Sequence, residues 1–245
     1  MLTQPSWVPL DDLTKRRIRF VWDDTRAMRD FAADASVVLR GSMKMSLRAR
    51  LVLCAGLYEW NVWRFAGLHD RPEPLQISEV AWCATVDPRY MRYFDLMREE
   101  WLGPIQGPLW CAAMWLQPAM SNGHMFPRSV YEALSFLTRM ALHVLPDREP
   151  FDSWLAAALD RLVEMYPLPP EEPFDDLFDR RVGQRLGPLI GRNVLDPEKA
   201  YDPSAGVNFL AHILREARAT ENPFLSSSED LEDVGFVDEP YVLPI

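Results

Sequence analysis

The sequence predicts a mainly α protein, an irregular multi-helix bundle with proline-rich connections and an acidic C-terminal tail. Three observations predict it. Apolar residues recur at steps of three and four through several long windows, the spacing that lines one face of an α-helix. Prolines and glycines punctuate the chain around those windows. Arg218 is the last basic residue, and Glu221, Glu229, Asp230, Glu232, Asp233, Asp238 and Glu239 follow it, most of the formal net charge of -10. Nine tryptophans and twelve phenylalanines within 48% hydrophobic residues supply ample core surface over 245 residues.

Taken in order, Asp11 or Asp12 would cap a first helix reaching about Ala35, although residues 18–22 are β-prone enough to form a short strand instead. From Ser46, the positions Leu47, Leu51, Cys54, Ala55, Tyr58, Val62 and Phe65 mark one of the clearest helical stripes. Gly67 ends it, and Pro72 and Pro74 are expected to keep the next segment out of helix. Ser78 would cap a short helix through Thr85. Asp87-Pro88 then reads as a capped start for a helix to about Leu102. Gly103-Pro104 and Gly107-Pro108 break the chain before the apolar run 109–116, whose Trp110 and Trp115 should be largely buried. Ser121-Asn122-Gly123 is a turn sequence. Val130, Leu134, Leu137, Ala141 and Val144 form another stripe, stopped by Pro146.

Phe151, Trp154, Leu155, Leu159, Leu162 and Tyr166 form a third strong stripe, followed by a stiff, extended Pro-rich segment. A short helix is expected over 174–186. Asp196-Pro197 precedes a last helix centred on Val207, Phe209, Leu210, Ile213 and Leu214, closed by Asn222-Pro223. This gives a helical core domain over 1–166, a linker at 167–173, a C-terminal helical extension packed on the core over 174–220, and an acidic, partly mobile tail over 221–245. Within that tail, the segment from Tyr241 to Leu243 could dock on the body or on a partner, and the acids could fold back on Arg180, Arg181 and Arg185.

Motifs for chemistry are sparse. Three cysteines sit in apolar contexts at Cys54, Cys83 and Cys111 and read as small core residues; their spacing of 29 and 28 residues suggests a repeat, but the flanking residues do not align. His69, His124, His143 and His212 are too scattered for a zinc site, so neither a metal nor a cofactor is expected. Gly183, Gly187 and Gly191 are interrupted by Pro188 and lack the lysine of a phosphate loop, so close packing explains them better. Asp175, Asp176 and Asp179 precede Arg180 and Arg181, which favours a solvated face over a cation site. Glu59, between Tyr58 and Trp60, is the most interesting carboxylate. Burial would suit it to acid–base work, whereas pairing with an arginine such as Arg92 or Arg139 is the more ordinary outcome. His124 completes the only enzyme reading on offer.

Glu59-Trp60-Asn61-Val62-Trp63 with Ala66, then Ala81-Trp82 with Asp87-Pro88 and Arg92, then Pro108, Trp110, Ala112, Ala113 and Trp115, and finally Ser121 and Pro127, form an ordered set. This set resembles a poorly characterised bacterial helical domain family of unknown function, associated with type VI secretion gene neighbourhoods. The resemblance spans about residues 58–166, and it lends no catalytic residues. It departs from the family's Ser-Gly-Gly-Ser type turn, where this chain has Gln117-Pro118-Ala119-Met120-Ser121. Three lysines against twenty-three arginines fit a GC-rich, bacterial coding sequence.

The expected function is accordingly a non-catalytic protein–protein interaction protein, an adaptor or accessory factor of a bacterial secretion or defence system. The alternatives are an immunity protein that neutralises a toxin through acidic surface, and an enzyme with an unrecognised site. The expected partner-binding residues are Glu229, Asp230, Glu232, Asp233, Asp238, Glu239 and Tyr241, facing another protein. The acidic balance disfavours nucleic acid. The lack of a long apolar run or an export-like start points to a cytoplasmic protein without membrane insertion.

Overall fold

The structure is a computed structural model that describes residues 2–9, 18–26, 31, 33–170 and 186–243. Among them are eight α-helices: α1 (Ser36–Ser42), α2 (Leu47–Phe65), α3 (Glu73–Val86), α4 (Gly103–Asn122), α5 (Pro127–Val144), α6 (Glu149–Met165), α7 (Pro203–Ala219) and α8 (Ser228–Asp233). Single 3-10 turns occupy Pro88–Tyr90, Arg98–Glu100 and Arg192–Leu195. The described residues form no sheet, only two isolated antiparallel bridges, Met45 with Pro167 and Met91 with Leu225. The irregular helical bundle is as expected.

The organising element is α2. Ser46 caps it, its hydroxyl accepting from the Ala49 amide at 3.4 Å. Sixteen of its nineteen residues are buried, so it presents no wet face and is the axis on which α3, α4 and α5 pack. The outer helices are amphipathic, and α5 and α6 bury the stripes that periodicity marked: Val130, Leu134, Leu137, Ala141 and Val144 on one, Phe151, Trp154, Leu155, Leu159 and Leu162 on the other. One hydrophobic cluster runs through the described chain from Leu2 to Tyr241.

Several local expectations are corrected by tertiary contacts. The described residues of the expected first helix, 18–26, 31 and 33–35, are all non-helical, and 18–26 form a strap. Its Phe20 packs edge-on against Phe65 at 6.2 Å and its Trp22 lies 5.9 Å from Phe31, while Asp24 accepts from the Trp22 indole and from the Gly103 amide that opens α4. Residues 10–17, with the expected caps Asp11 and Asp12, lie outside the described residues. Pro72 and Pro74 do not exclude helix; Pro74 sits in the first turn of α3, where a missing amide proton is harmless, and Ser78 is interior to that helix.

Asp87-Pro88 caps only a 3-10 turn, because the backbone beyond it pairs with the C-terminal segment: Arg92 N donates to Phe224 O and Ser226 N to Tyr90 O, both at 2.9 Å. Gly103-Pro104 and Gly107-Pro108 lie within α4 rather than before it. A Cβ on Gly107 would stand 2.5 Å from the Trp22 indole nitrogen, so the glycine is there to admit the strap. Trp110 and Trp115 are largely buried, as expected, though not fully enclosed; the first donates to Leu96 O at 2.7 Å and the second stacks on Phe136 at 3.8 Å.

At the start of the expected linker, Pro167 and Leu168 are tied to Met45 and Lys44, and residues 171–173 lie outside the described set. So do nearly all of the helix expected over 174–186, the Asp175, Asp176 and Asp179 cluster, and Arg180, Arg181 and Arg185. The last long helix starts one Asp-Pro later than expected: Asp202 caps Pro203, its carboxylate accepting from Ser204 N at 2.9 Å. It is seated by a glycine pair, since a Cβ on Gly191 would fall 2.1 Å from Gly206 Cα, a backbone atom that cannot step aside. Gly191→Ala is therefore expected to lower stability by about 3 kcal/mol, read from urea unfolding, because overpacking here must push α7 off the body.

Candidate functional site

The carboxylates singled out from sequence lie on a segment that is folded against the body. Asn222 turns the chain under α3, its amide donating to Gln76 O at 2.9 Å and to the Glu79 carboxylate at 3.2 Å. Glu79 also accepts from Leu2 N at 3.0 Å, so one buried carboxylate holds both ends of the described chain. Ser227 and Asp230 form a reciprocal capping box that starts α8, and Leu231 beneath it is buried. The Ser227 hydrogen bonds hold the Asp230 carboxyl below the usual range.

Beyond α8 the chain is pinned by aromatic contacts. Tyr241 stacks on Tyr90 at 5.8 Å, its amide donates to the Tyr90 hydroxyl at 3.0 Å, and its own hydroxyl donates to Ser226 O at 2.8 Å. Phe236 lies against Tyr90 and under the Arg89 guanidinium, and Arg218 covers Tyr241 at 5.1 Å. Burial pushes the Tyr90 phenol up to about 12.

Among the expected partner-binding residues the structure therefore separates two kinds. Tyr241 is buried and takes the body as its docking surface, and Asp230 is committed to the capping box. Glu229, Glu232, Asp233, Asp238 and Glu239 are exposed. Interleaved with them are the exposed Val234, Val237 and Val242, of which Val237 is 90% accessible. The result is an anchored stretch of chain along which exposed carboxylates and bare aliphatic side chains are interspersed. The sequence showed the acids; the valines escaped notice because three scattered residues carry no periodicity.

The other candidates resolve differently. Glu59 is fully buried and does pair with an arginine, but that arginine is Arg192, not Arg92 or Arg139. The Arg192 guanidinium donates through Nη2 at 2.5 Å and Nε at 2.9 Å, and the Trp82 indole donates to the same carboxylate at 2.6 Å. Arg192 also donates to Thr3 O and lies over the Trp7 and Phe209 rings. A carboxylate so fully engaged is a structural ion pair. His124 has Asp87 and Arg89 as its electrostatic neighbours, and burial lowers its pKa; the hydrogen-bond partners of Glu59 are Trp82 and Arg192. The three cysteines are buried free thiols, each pushed up by burial. No group of three or more metal-ligating side chains occurs among the described residues, and none of their helices is long and apolar enough to cross a membrane.

A polar niche that sequence reading missed lies at the start of α3. Tyr58 Oη, His69 Nε2 and Glu73 Oε2 are all buried without a hydrogen-bond partner among the described residues, and the Glu73 charge acts on both other groups. Arg71 N donates to His69 Nδ1 at 3.1 Å, which leaves Nε2 as the protonated nitrogen of the neutral ring.

Comparison with known proteins finds no matching family model, no matching curated protein and no matching solved structure.

Two outcomes are expected from the interior polar groups. Glu59→Leu and Arg192→Met should each destabilise by about 3–5 kcal/mol, since each leaves an uncompensated buried charge, while the double variant should lose far less than the sum in a urea double-mutant cycle. Tyr58→Phe, by contrast, should be neutral or raise Tm, because it deletes a buried hydroxyl that has no hydrogen-bond partner among the described residues.

Proposed function

We propose that the chain is a non-catalytic protein–protein interaction protein, an adaptor or accessory factor of a bacterial secretion or defence system, and that it meets its partner through the acidic face of residues 229–242. The observation that carries this reading is the combination of five exposed carboxylates with exposed Val234, Val237 and Val242 on a segment already anchored by Tyr241 and the capping box. Pre-anchoring removes much of the ordering entropy that a mobile tail would lose on binding. The carboxylates would steer a basic partner, and the valines would supply the dry centre of the contact. The secretion setting rests on the family resemblance of residues 58–166.

The same face supports the narrower reading of an immunity protein, whose acids would cover the basic active-site surface of a toxin. The deep engagement of Glu59 and its distinct surroundings from His124 weigh against the enzyme reading.

The test is affinity capture from the native host with the wild-type chain and with the charge-reversed variant E232K/D233K/D238K/E239K, whose fold is checked by circular dichroism. A basic protein retained by the wild type at low salt, released as salt rises and absent from the variant is the expected result. Identical capture by both chains would remove the acidic face as the contact surface.

A further inference from the structure

A second charged feature has the opposite sign. The non-helical strap at 18–26 crosses the C-terminal end of α5 and leaves a pocket of about 350 Å³ whose described lining is Arg19, Phe20, Arg64, Leu142, His143, Val144, Leu145, Pro146 and Arg148. Three arginines line it, Arg19, Arg64 and Arg148, and no carboxylate does among the described residues. In a chain of formal net charge -10 such a concentration of one sign is unexpected.

The cationic groups are held in place from behind. Arg64, itself fully buried, donates through Nε to Val144 O at 2.8 Å, and Arg148 Nε donates to Leu142 O at 3.1 Å, so the last carbonyls of α5 orient two guanidiniums at the pocket. His143 Nε2 lies 2.9 Å from Val21 O, and its ring lies 5.4 Å from that of Phe20 and 5.1 Å from that of Phe31. Arg19 and Arg148 are exposed, and neither has a carboxylate partner among the described residues. Phe20, Leu142, Leu145 and Pro146 add an apolar wall.

The geometry points to a binding site for a small, multiply charged phosphate-bearing molecule in this pocket, with Arg19 and Arg148 as forked donors to its phosphates and the apolar wall against its body. Guanidinium forks match phosphate oxygens in pairs. The volume lies in the range of small-molecule sites. An acidic chain repels a polyanionic macromolecule at a distance, whereas a small anion is attracted once it is within a Debye length, about 8 Å, of the arginines. The site is separate in residues and in charge from the acidic face of 229–242.

Isothermal titration calorimetry with inorganic pyrophosphate, ADP and citrate tests this on the full chain, with Arg19→Glu, Arg148→Glu and, as a control on α7, Arg215→Glu. The expected result is saturable binding of pyrophosphate or ADP that weakens at least about tenfold in each of the first two variants and is retained in Arg215→Glu. Citrate binding as tightly as pyrophosphate would overturn the phosphate assignment. Loss of binding to the same degree in Arg215→Glu would reduce it to general charge attraction. Absence of heat with all three probes at millimolar concentration would leave the arginines as caps of α5 only, and the proposal would fail.

Discussion

Glu59 and Arg192 meet in the middle of the protein, and much of the rest is arranged around that meeting. Removing a carboxylate and a guanidinium from water costs several kcal/mol per ion, so the pair stands only because nearly every polar atom on it finds a partner. Trp82 supplies one from α3, Thr3 another from the N-terminal segment, and the Trp7 and Phe209 rings close over the guanidinium from the N-terminal segment and α7. Five stretches far apart in sequence, the N-terminal segment, α2, α3, the turn at Arg192–Leu195 and α7, thereby converge at one point.

The same logic explains the heavy use of arginine. Arg48 donates to the carbonyls of Thr85 and Val86 at the end of α3 and to that of Gly187. Arg64 does so at the end of α5, Arg139 at Phe31, and Arg161 at Val194, Asp196 and Pro197. Helix ends and irregular connections expose carbonyls that must be satisfied when covered. A planar fork with five donors reaches two or three of them at once, which the single ammonium of lysine does with less directional order. In a bundle whose helices are joined by long non-helical straps, these arginines replace the ladders that a sheet would have provided.

The interior polar and thiol groups are committed to the fold. The interior carboxylates Glu59 and Glu79 are structural clasps, and the thiols are packing atoms. Exposed chemistry is divided instead between two surfaces of opposite charge: the acidic, valine-bearing face after Ser228, and the arginine pocket beside the end of α5. Both are built from irregular or short segments laid against long helices, which fix their geometry while leaving their side chains free to contact something else.

The long helices were legible from residue order alone, because an apolar stripe every three to four positions must be buried and only neighbouring rods can bury it. Residues 47–65, 127–144 and 149–165 needed no more than that periodicity. The cysteines as core atoms and the ion-paired fate of Glu59 were legible for the same local reasons. What the chain does between the helices was decided by tertiary contact. Asp87-Pro88 carries a helix-start signal, yet its backbone turns instead to Phe224 and Ser226; Pro72 and Pro74 read as breakers but open α3; the strap at 18–26 stays non-helical because Asp24, Phe20 and Trp22 find partners across the fold. Partner choice for Glu59 belongs to the same class, since Arg192 lies 133 residues away and no spacing rule links them. Local preferences are worth tenths of a kcal/mol per residue, and a buried hydrogen bond or charge pair left unmade costs several times more, so wherever the two conflict the distant contact prevails.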